Sequence, residues 1–278
     1  KSIKNHLWFW LTLAFFYTYF FTFGIADGTL VISDMKKYMD IAQDLDIAQT
    51  YWPIGYPLIL RVLFELFGAS ATAAIYLNVA MHFTATTLLS RLTLKIYGQL
   101  PAIICIIVYG LNRGHAYMVN TLVAENPLAL FIVLSIYLTH KIVTTGSGYK
   151  RLGLTCGFAM LVKANFAWVL TPIIGISLLA KGWQRKNLVA TLLFLITAIC
   201  IPITYGFYTL STHGRFVPFS TNGPVLFWMS NNPNATGLTM GNFENFGGVH
   251  GVDVEARYLQ ESLKYRKSNP KHISRLTE

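Results

Sequence analysis

Apolar residues run through whole segments of this chain, separated by short basic loops, rather than returning once per helical turn as on a water-facing helix. The segments are Leu7–Ala26, Ala71–Thr93, Pro101–Tyr117, Leu122–His140, Leu152–Lys163, Ala167–Ala180 and Leu188–Leu210. Several approach the roughly 20 apolar residues that cross about 30 Å of hydrocarbon, so the pattern predicts a chain that spans a membrane several times. The fifth and sixth are short, which predicts a bent hairpin or broken helices whose backbone is covered by protein or water. Between the first two, Tyr56–Phe67 is amphipathic, opened by Pro53 and Pro57 and too short to cross, as expected of a helix lying along the membrane surface. After residue 210 the composition shifts to Asn, Gly and Pro. A final helix is predicted over Asp253–Lys267, with Asp253 as its N-cap and Arg257 and Glu261 at i,i+4 spacing. The predicted fold class is therefore all-α: a polytopic transmembrane helical bundle over residues 1–210 with an outer loop at 27–56, followed by an extracytoplasmic segment of mixed or irregular structure at 211–278.

The placement of cations orients the bundle. Lys1 and Lys4, Arg91 and Lys95, Lys141 with Lys150 and Arg151, and Lys181 with Arg185 and Lys186 fall on one side of an alternating chain, which the positive-inside rule makes cytoplasmic. Residues 27–55, 112–120 and 211–278 then lie outside and carry most of the acids. Composition agrees: 54% of the 278 residues are hydrophobic, 12% are charged, and the mean hydropathy is +0.47, which excludes a single water-soluble core. The net charge of +10 does not point to nucleic acid, because the Lys and Arg residues sit at helix ends instead of on one exposed face. Cys105, Cys156 and Cys200 lie inside apolar segments without metal-ligand spacing and read as packing residues. The basic start and apolar run of the first segment also fit a signal peptide; its length, its aromatic content and the lack of a small-x-small cleavage site favour a span.

Candidate chemistry is confined to a few polar residues at the outer side. Asp34, just past the first segment and four residues before Tyr38, is placed to act as a general base at the membrane surface. On spacing alone the favoured reading is that Asp34, Asp40, Asp44 and Asp46 form a solvated loop face with some helix capping. Glu125 opens Glu125-Asn126-Pro127 at the mouth of an apolar segment, where an ionised group marks a functional site by default. With Arg113 and His115 it forms either a polar cluster across the hairpin or a structural ion pair and cap. Lys163, between apolar stretches, calls for an anion such as phosphate, or else snorkels to water. Arg215, after Gly214, has the same two readings. No Walker loop, dinucleotide fingerprint, zincin His pair or paired cysteines occur, which argues against a nucleotide-driven pump. Asn234-Ala235-Thr236 matches a glycosylation sequon, a triplet common by chance.

The order of these features resembles the multispan glycosyltransferases of the C-type superfamily that take sugars from polyprenyl-phosphate carriers, the broad family of dolichyl-phosphate-mannose-protein mannosyltransferases and bacterial aminoarabinose transferases. It runs from Asp34 and Tyr38 through Trp52-Pro53-Ile54-Gly55-Tyr56-Pro57-Leu58 to Glu125-Asn126-Pro127 and Gly157-Phe158-Ala159-Met160-Leu161-Val162-Lys163, then to Gly214-Arg215-Phe216-Val217-Pro218 and Asn231-Asn232-Pro233-Asn234-Ala235-Thr236-Gly237. Each motif is degenerate, and their order carries the likeness. The resemblance implies a transferase in a bacterial inner membrane with its site on the extracytoplasmic side, a polyprenyl-phosphate-linked sugar as donor, and membrane lipid but no nucleic acid as partner. It implies that Asp34 is the catalytic acid that activates the acceptor, Glu125 a second acidic position, and Lys163 a basic position facing the carrier phosphate; Tyr38, Arg113, His115 and Arg215 are the further candidates for binding substrate. Asp34 and Glu125 are oxygen ligands compatible with a divalent metal without requiring one. Ser33 stands where many relatives have a second acid, and Trp52 where they have a basic residue before the proline, which leaves acceptor type open. Relatives are usually longer, so these residues are expected to be an N-terminal portion or a short member. A flippase that moves a lipid-linked sugar without chemistry is the alternative, although the two similar halves typical of transporters are absent. A structural subunit whose acids pair with partner helices is a second.

Overall fold

The computed structural model describes residues 6–23, 34–48, 50–179, 185–233 and 252–269, and every regular element among them is helical. The helices are α1 (Leu7–Phe23), α2 (Asp34–Gln43), α3 (Gly55–Phe67), α4 (Ala71–Tyr97), α5 (Gln99–Cys105), α6 (Arg113–Val119), α7 (Glu125–Thr145), α8 (Tyr149–Val162), α9 (Asn165–Leu179), α10 (Arg185–His213), α11 (Gly223–Ser230) and α12 (Val252–Ser268). A 3-10 turn, Leu45–Ala48, follows α2, and a π turn, Ile106–Gly110, extends α5. The bundle is built from α4 on α7, α7 on α8 and α8 on α10, with α1 against α5 and α9 against α8 and α10. One core joins α1 to α6 around Phe16, Tyr56 and Val79; a second joins α7 to α10 around Ile142, Cys156 and Phe194. Large apolar side chains also face outward, such as Trp8, Phe15, Val108 and Val189, so these helices are apolar on both faces, as a bilayer requires.

The sequence pattern marks seven apolar segments, the fifth and sixth too short for plain crossings, and the structure divides them differently. Among the described residues, α7 and α10 are each long and apolar enough to cross, and α3 with α4 makes a third candidate as a bent pair. In α4 the apolar run is interrupted by the buried polar residues Asn78, His82, Thr86 and Ser90. The third predicted segment breaks after Gly110, because the Asn112 side chain accepts hydrogen bonds from Gly114 N at 2.8 Å and His115 N at 3.3 Å and so starts a new helix, α6. The fifth and sixth are the short helices α8 and α9, of 14 and 15 residues, joined at Lys163, whose backbone is extended and whose carbonyl accepts from Phe166 N at 3.0 Å.

The amphipathic stretch folds as α3, which buries Tyr56, Leu60 and Phe64 along one face and leaves Val62, Leu66 and Phe67 exposed on the other. It meets α4 at a bend of 119°, made by Gly68 at φ +82° and by the Ser70 hydroxyl, which accepts from Ala73 N at 3.3 Å. A helix turned across the bundle end with an apolar outer face has the form expected for the membrane surface.

The tightest seam is α8 on α10. Gly153 and Gly157 face it one turn apart, and a Cβ on either would lie 2.6 Å from Phe194 O or 2.7 Å from Ala198 O, respectively. Two glycines at this spacing let helix backbones approach to direct contact. At the N-terminus of α3, a Cβ on Gly55 would be 2.6 Å from the Leu161 carbonyl carbon, so α3 also rests on the backbone of α8.

The described part of the C-terminal segment is mixed, with helices α11 and α12 beside the irregular stretches 214–222 and 231–233. Helices α11 and α12 pack through Trp228 and Tyr258, whose ring centroids are 5.2 Å apart, and Thr221 N donates to Thr50 O at 2.9 Å, tying this segment to the residues before α3. Helix α12 begins at Val252, so Asp253 lies in its first turn instead of capping it. Arg257 and Glu261 are on exposed faces, and no ion pair joins them among the described residues.

Candidate functional site

One end of the bundle gathers the junctions Ile54-Gly55, α6–α7 and α8–α9. Glu125 is the first residue of α7, where the helix dipole favours a carboxylate, and Lys163 closes α8. The two meet: Lys163 Nζ lies 2.5 Å from Glu125 Oε1, with the side chains 38% and 45% exposed. The partner of Glu125 is thus the cation 38 residues away, which spacing along the chain did not reveal.

Beneath this pair lies a cavity of about 210 Å³, walled by His82, Tyr109, His115, Glu125, Asn126 and apolar residues of α4 and α7. His115 stands edge-on to Tyr109, centroids 4.6 Å apart, and to His82 at 5.5 Å. His82 Nε2 bonds Gly110 O at 3.0 Å, whereas Tyr109 Oη and His115 Nδ1 are buried without a hydrogen-bond partner among the described residues. Unpartnered polar atoms beside a cavity of this size suit a small hydroxyl-bearing group or several waters, since a water occupies about 30 Å³.

A buried amide network holds the wall. Tyr56 Oη donates to Asn78 Oδ1 at 2.9 Å, and Asn78 Nδ2 donates to Val119 O at 3.2 Å and Thr121 O at 2.9 Å. Asn126 Nδ2 donates to Met118 O at 2.7 Å and again to Thr121 O at 2.9 Å. Two asparagines, one from α4 and one from α7, therefore hold the α6–α7 turn and with it Glu125. Asn78→Ala leaves the buried Tyr56 hydroxyl and the Val119 carbonyl unpaired and is expected to cost about 1–3 kcal/mol. A thermal melt of the purified protein checks this, and an unchanged melting temperature would mean that the network contributes nothing.

The remaining candidates are distributed around this end. Tyr38 is buried against Trp52 and Tyr56, with centroids 5.7 and 5.5 Å away, so it seats α2 on α3. Asp34 opens the same helix one turn earlier, and its side chain lies outside the described residues, as does that of Arg113 at the start of α6. Asp44 accepts from Asp46 N at 3.1 Å and so serves the local turn. Arg215 pairs with Glu255 of α12 at 2.8 Å, and Glu255 is 5% exposed, so releasing the arginine would strand a buried carboxylate. Arg215 thereby anchors α12, and it is not brought to Lys163 by any described contact. The sequon falls outside the described residues. Sequence reasoning missed His82, Tyr109 and Asn78; polar residues in the middle of otherwise apolar segments were the available signal.

Among the described residues no group of three or more His, Cys, Asp or Glu stands close enough to hold a metal. Cys156 is buried with Sγ 3.7 Å from Ser135 Oγ, while Cys200 is exposed on α10.

No curated protein and no solved structure matches the chain at a significant level. The family model described as dolichyl-phosphate-mannose-protein mannosyltransferase matches residues 52–207, more than half of the 278 residues. The matched region contains the Glu125–Lys163 pair, the cavity and the amide network, and leaves Asp34 and Arg215 outside. The chain is a membrane protein of the dolichyl-phosphate-mannose-protein mannosyltransferase family, and hence of the C-type membrane glycosyltransferases.

Proposed function

We propose that the protein transfers a sugar from a polyprenyl-phosphate carrier to a hydroxyl acceptor at the extracytoplasmic face of the inner membrane. The acceptor oxygen attacks the anomeric carbon, the bond from that carbon to the phosphate oxygen breaks, and configuration inverts. Asp34 takes the acceptor proton, and the electron pair leaves on the carrier phosphate beside Lys163. Negative charge grows on that phosphate as the bond breaks, so a fixed ammonium stabilises the transition state more than the ground state.

The observation that carries this reading is the Lys163–Glu125 pair at a helix mouth, half-exposed within the family-matched region. An exposed pair is worth about 0–1 kcal/mol, so a phosphate can displace Glu125 from Lys163 at small cost. The adjoining cavity, with Tyr109 Oη and His115 Nδ1 unpartnered, suits a sugar hydroxyl. A flippase would use the same cation to bind but would break no bond.

The deciding experiment is transfer of radiolabelled sugar from a polyprenyl-phosphate donor pool by membranes carrying the protein, against membranes without it. Label reaching an acceptor supports the transferase, and label that only changes leaflet supports the flippase. Lys163→Ala is expected to weaken donor use by roughly 10- to 100-fold, the worth of one charge-assisted hydrogen bond. Unchanged donor KM and kcat would return Lys163 to a snorkelling role.

A further inference from the structure

The opposite end of the bundle holds a larger cavity, of about 770 Å³, between the start of α1 and the ends of α4 and α7. Helix α7 carries Glu125 at its start and Lys141 at this cavity, so at about 1.5 Å per residue these two charged groups are on the order of 24 Å apart along the helix. Its wall presents Arg91, Lys95 and Lys141 together with His6 and His140, and contains no carboxylate among the described residues. None of the three permanent cations has an ion-pair partner among the described residues. In addition, His6 Nδ1 and His140 Nε2 are buried without a hydrogen-bond partner among the described residues.

Cations at helix ends are accounted for by topology alone, but topology does not require them to converge on one concavity. Like charges brought together without a counter-charge repel, and buried imidazole nitrogens left unpaired cost free energy, so the arrangement calls for an anion with several acceptor oxygens. The surroundings indicate how that anion is carried. Trp10 lines the cavity, and Trp8, Ile96, Tyr97 and Leu100 beside it are exposed, forming an apolar flank suited to acyl chains.

We propose that this basic cavity binds the phosphate headgroup of an anionic membrane phospholipid, at a site separate from the one that handles the sugar donor. The occupant is a lipid and not free phosphate, because the cationic wall continues into an exposed apolar one.

The test uses the purified protein in neutral detergent and native mass spectrometry with short-chain phosphatidylglycerol, phosphatidylcholine and inorganic phosphate. Three proteins are compared: wild type, Arg91→Gln/Lys95→Gln/Lys141→Gln, and Arg257→Gln/Lys264→Gln/Lys267→Gln, which removes the same charge from the exposed face of α12. Wild type is expected to prefer phosphatidylglycerol to phosphatidylcholine. The cavity variant should lose that binding by on the order of a hundredfold, given the usual attraction per basic residue, and the α12 variant should keep it. Equal loss in both variants, or no preference for the anionic lipid, would overturn the proposal. Millimolar inorganic phosphate displacing the lipid from wild type would identify a free-phosphate site and overturn the lipid assignment. Coincident melting curves for the two variants separate loss of binding from loss of fold.

Discussion

Asp34→Asn is expected to lower the rate of sugar transfer by roughly 10²- to 10⁴-fold while the protein still inserts and folds, because this is the range that a positioned general base contributes. The amide keeps the size of the side chain and its ability to accept a hydrogen bond at the first residue of α2, so the helix and its seat on α3 should survive. What is lost is the ability to take a proton from the acceptor hydroxyl. Asp40→Asn is the control, since it removes a carboxylate from the same helix at a position that the mechanism does not use. The measurement is initial transfer rate per folded protein at matched expression. A variant at position 34 that turns over at the wild-type rate would remove Asp34 from the mechanism, and the base would then have to be sought near Glu125.

The second large effect is on the scaffold. Gly157→Leu places a side chain where even a Cβ would be 2.7 Å from Ala198 O and 2.8 Å from Ile201, at the centre of the α8–α10 seam. The obstructing atom is backbone and cannot rotate aside, so the helices must part. Overpacking of this kind costs typically about 1–3 kcal/mol and occasionally more. Because α8 ends at Lys163, displacing it also moves the ammonium away from Glu125, and activity should fall along with the melting temperature. Gly175→Ala is the contrast: an added Cβ there meets nothing within 4 Å among the described residues, and in a helix interior the change is expected to stabilise by roughly 0.5–1 kcal/mol. Equal melting temperatures for the two variants would show that α8 and α10 are not in the backbone contact described.

These two sites differ in how they are supported. Glu125 and Lys163 lie within the family-matched residues 52–207, and α8, which ends at Lys163, is packed on α10 through Gly153 and Gly157. Asp34 stands before that region and enters the mechanism through the resemblance of its motif and its place at the head of α2. The transfer assay on Asp34→Asn and the donor affinity of Lys163→Ala therefore probe separate parts of the proposal.

The sequence by itself determined the class of molecule. Long apolar segments can bury their backbone polar groups in lipid only as helices, so an all-helical membrane chain was legible from the pattern of residues alone. The alternation of basic loops was legible too, and the structure brings Arg91, Lys95 and Lys141 to one end of the bundle, as alternation requires. The short helices α8 and α9 and the amphipathic α3 could be read because each segment lacks the length to cross by itself. The break in the third segment is local, set by the Asn112 side chain capping the helix that starts beside it, whereas the longer-range pairings were left to the tertiary structure. It alone decided that Arg215 belongs to Glu255 and that Glu125 belongs to Lys163, pairs separated by 40 and 38 residues. Charge along a chain shows that partners are needed. Which partners meet is set by the seams between helices, and those seams are fixed by contacts such as Gly157 on Ala198 and Tyr56 on Asn78 that no local pattern encodes.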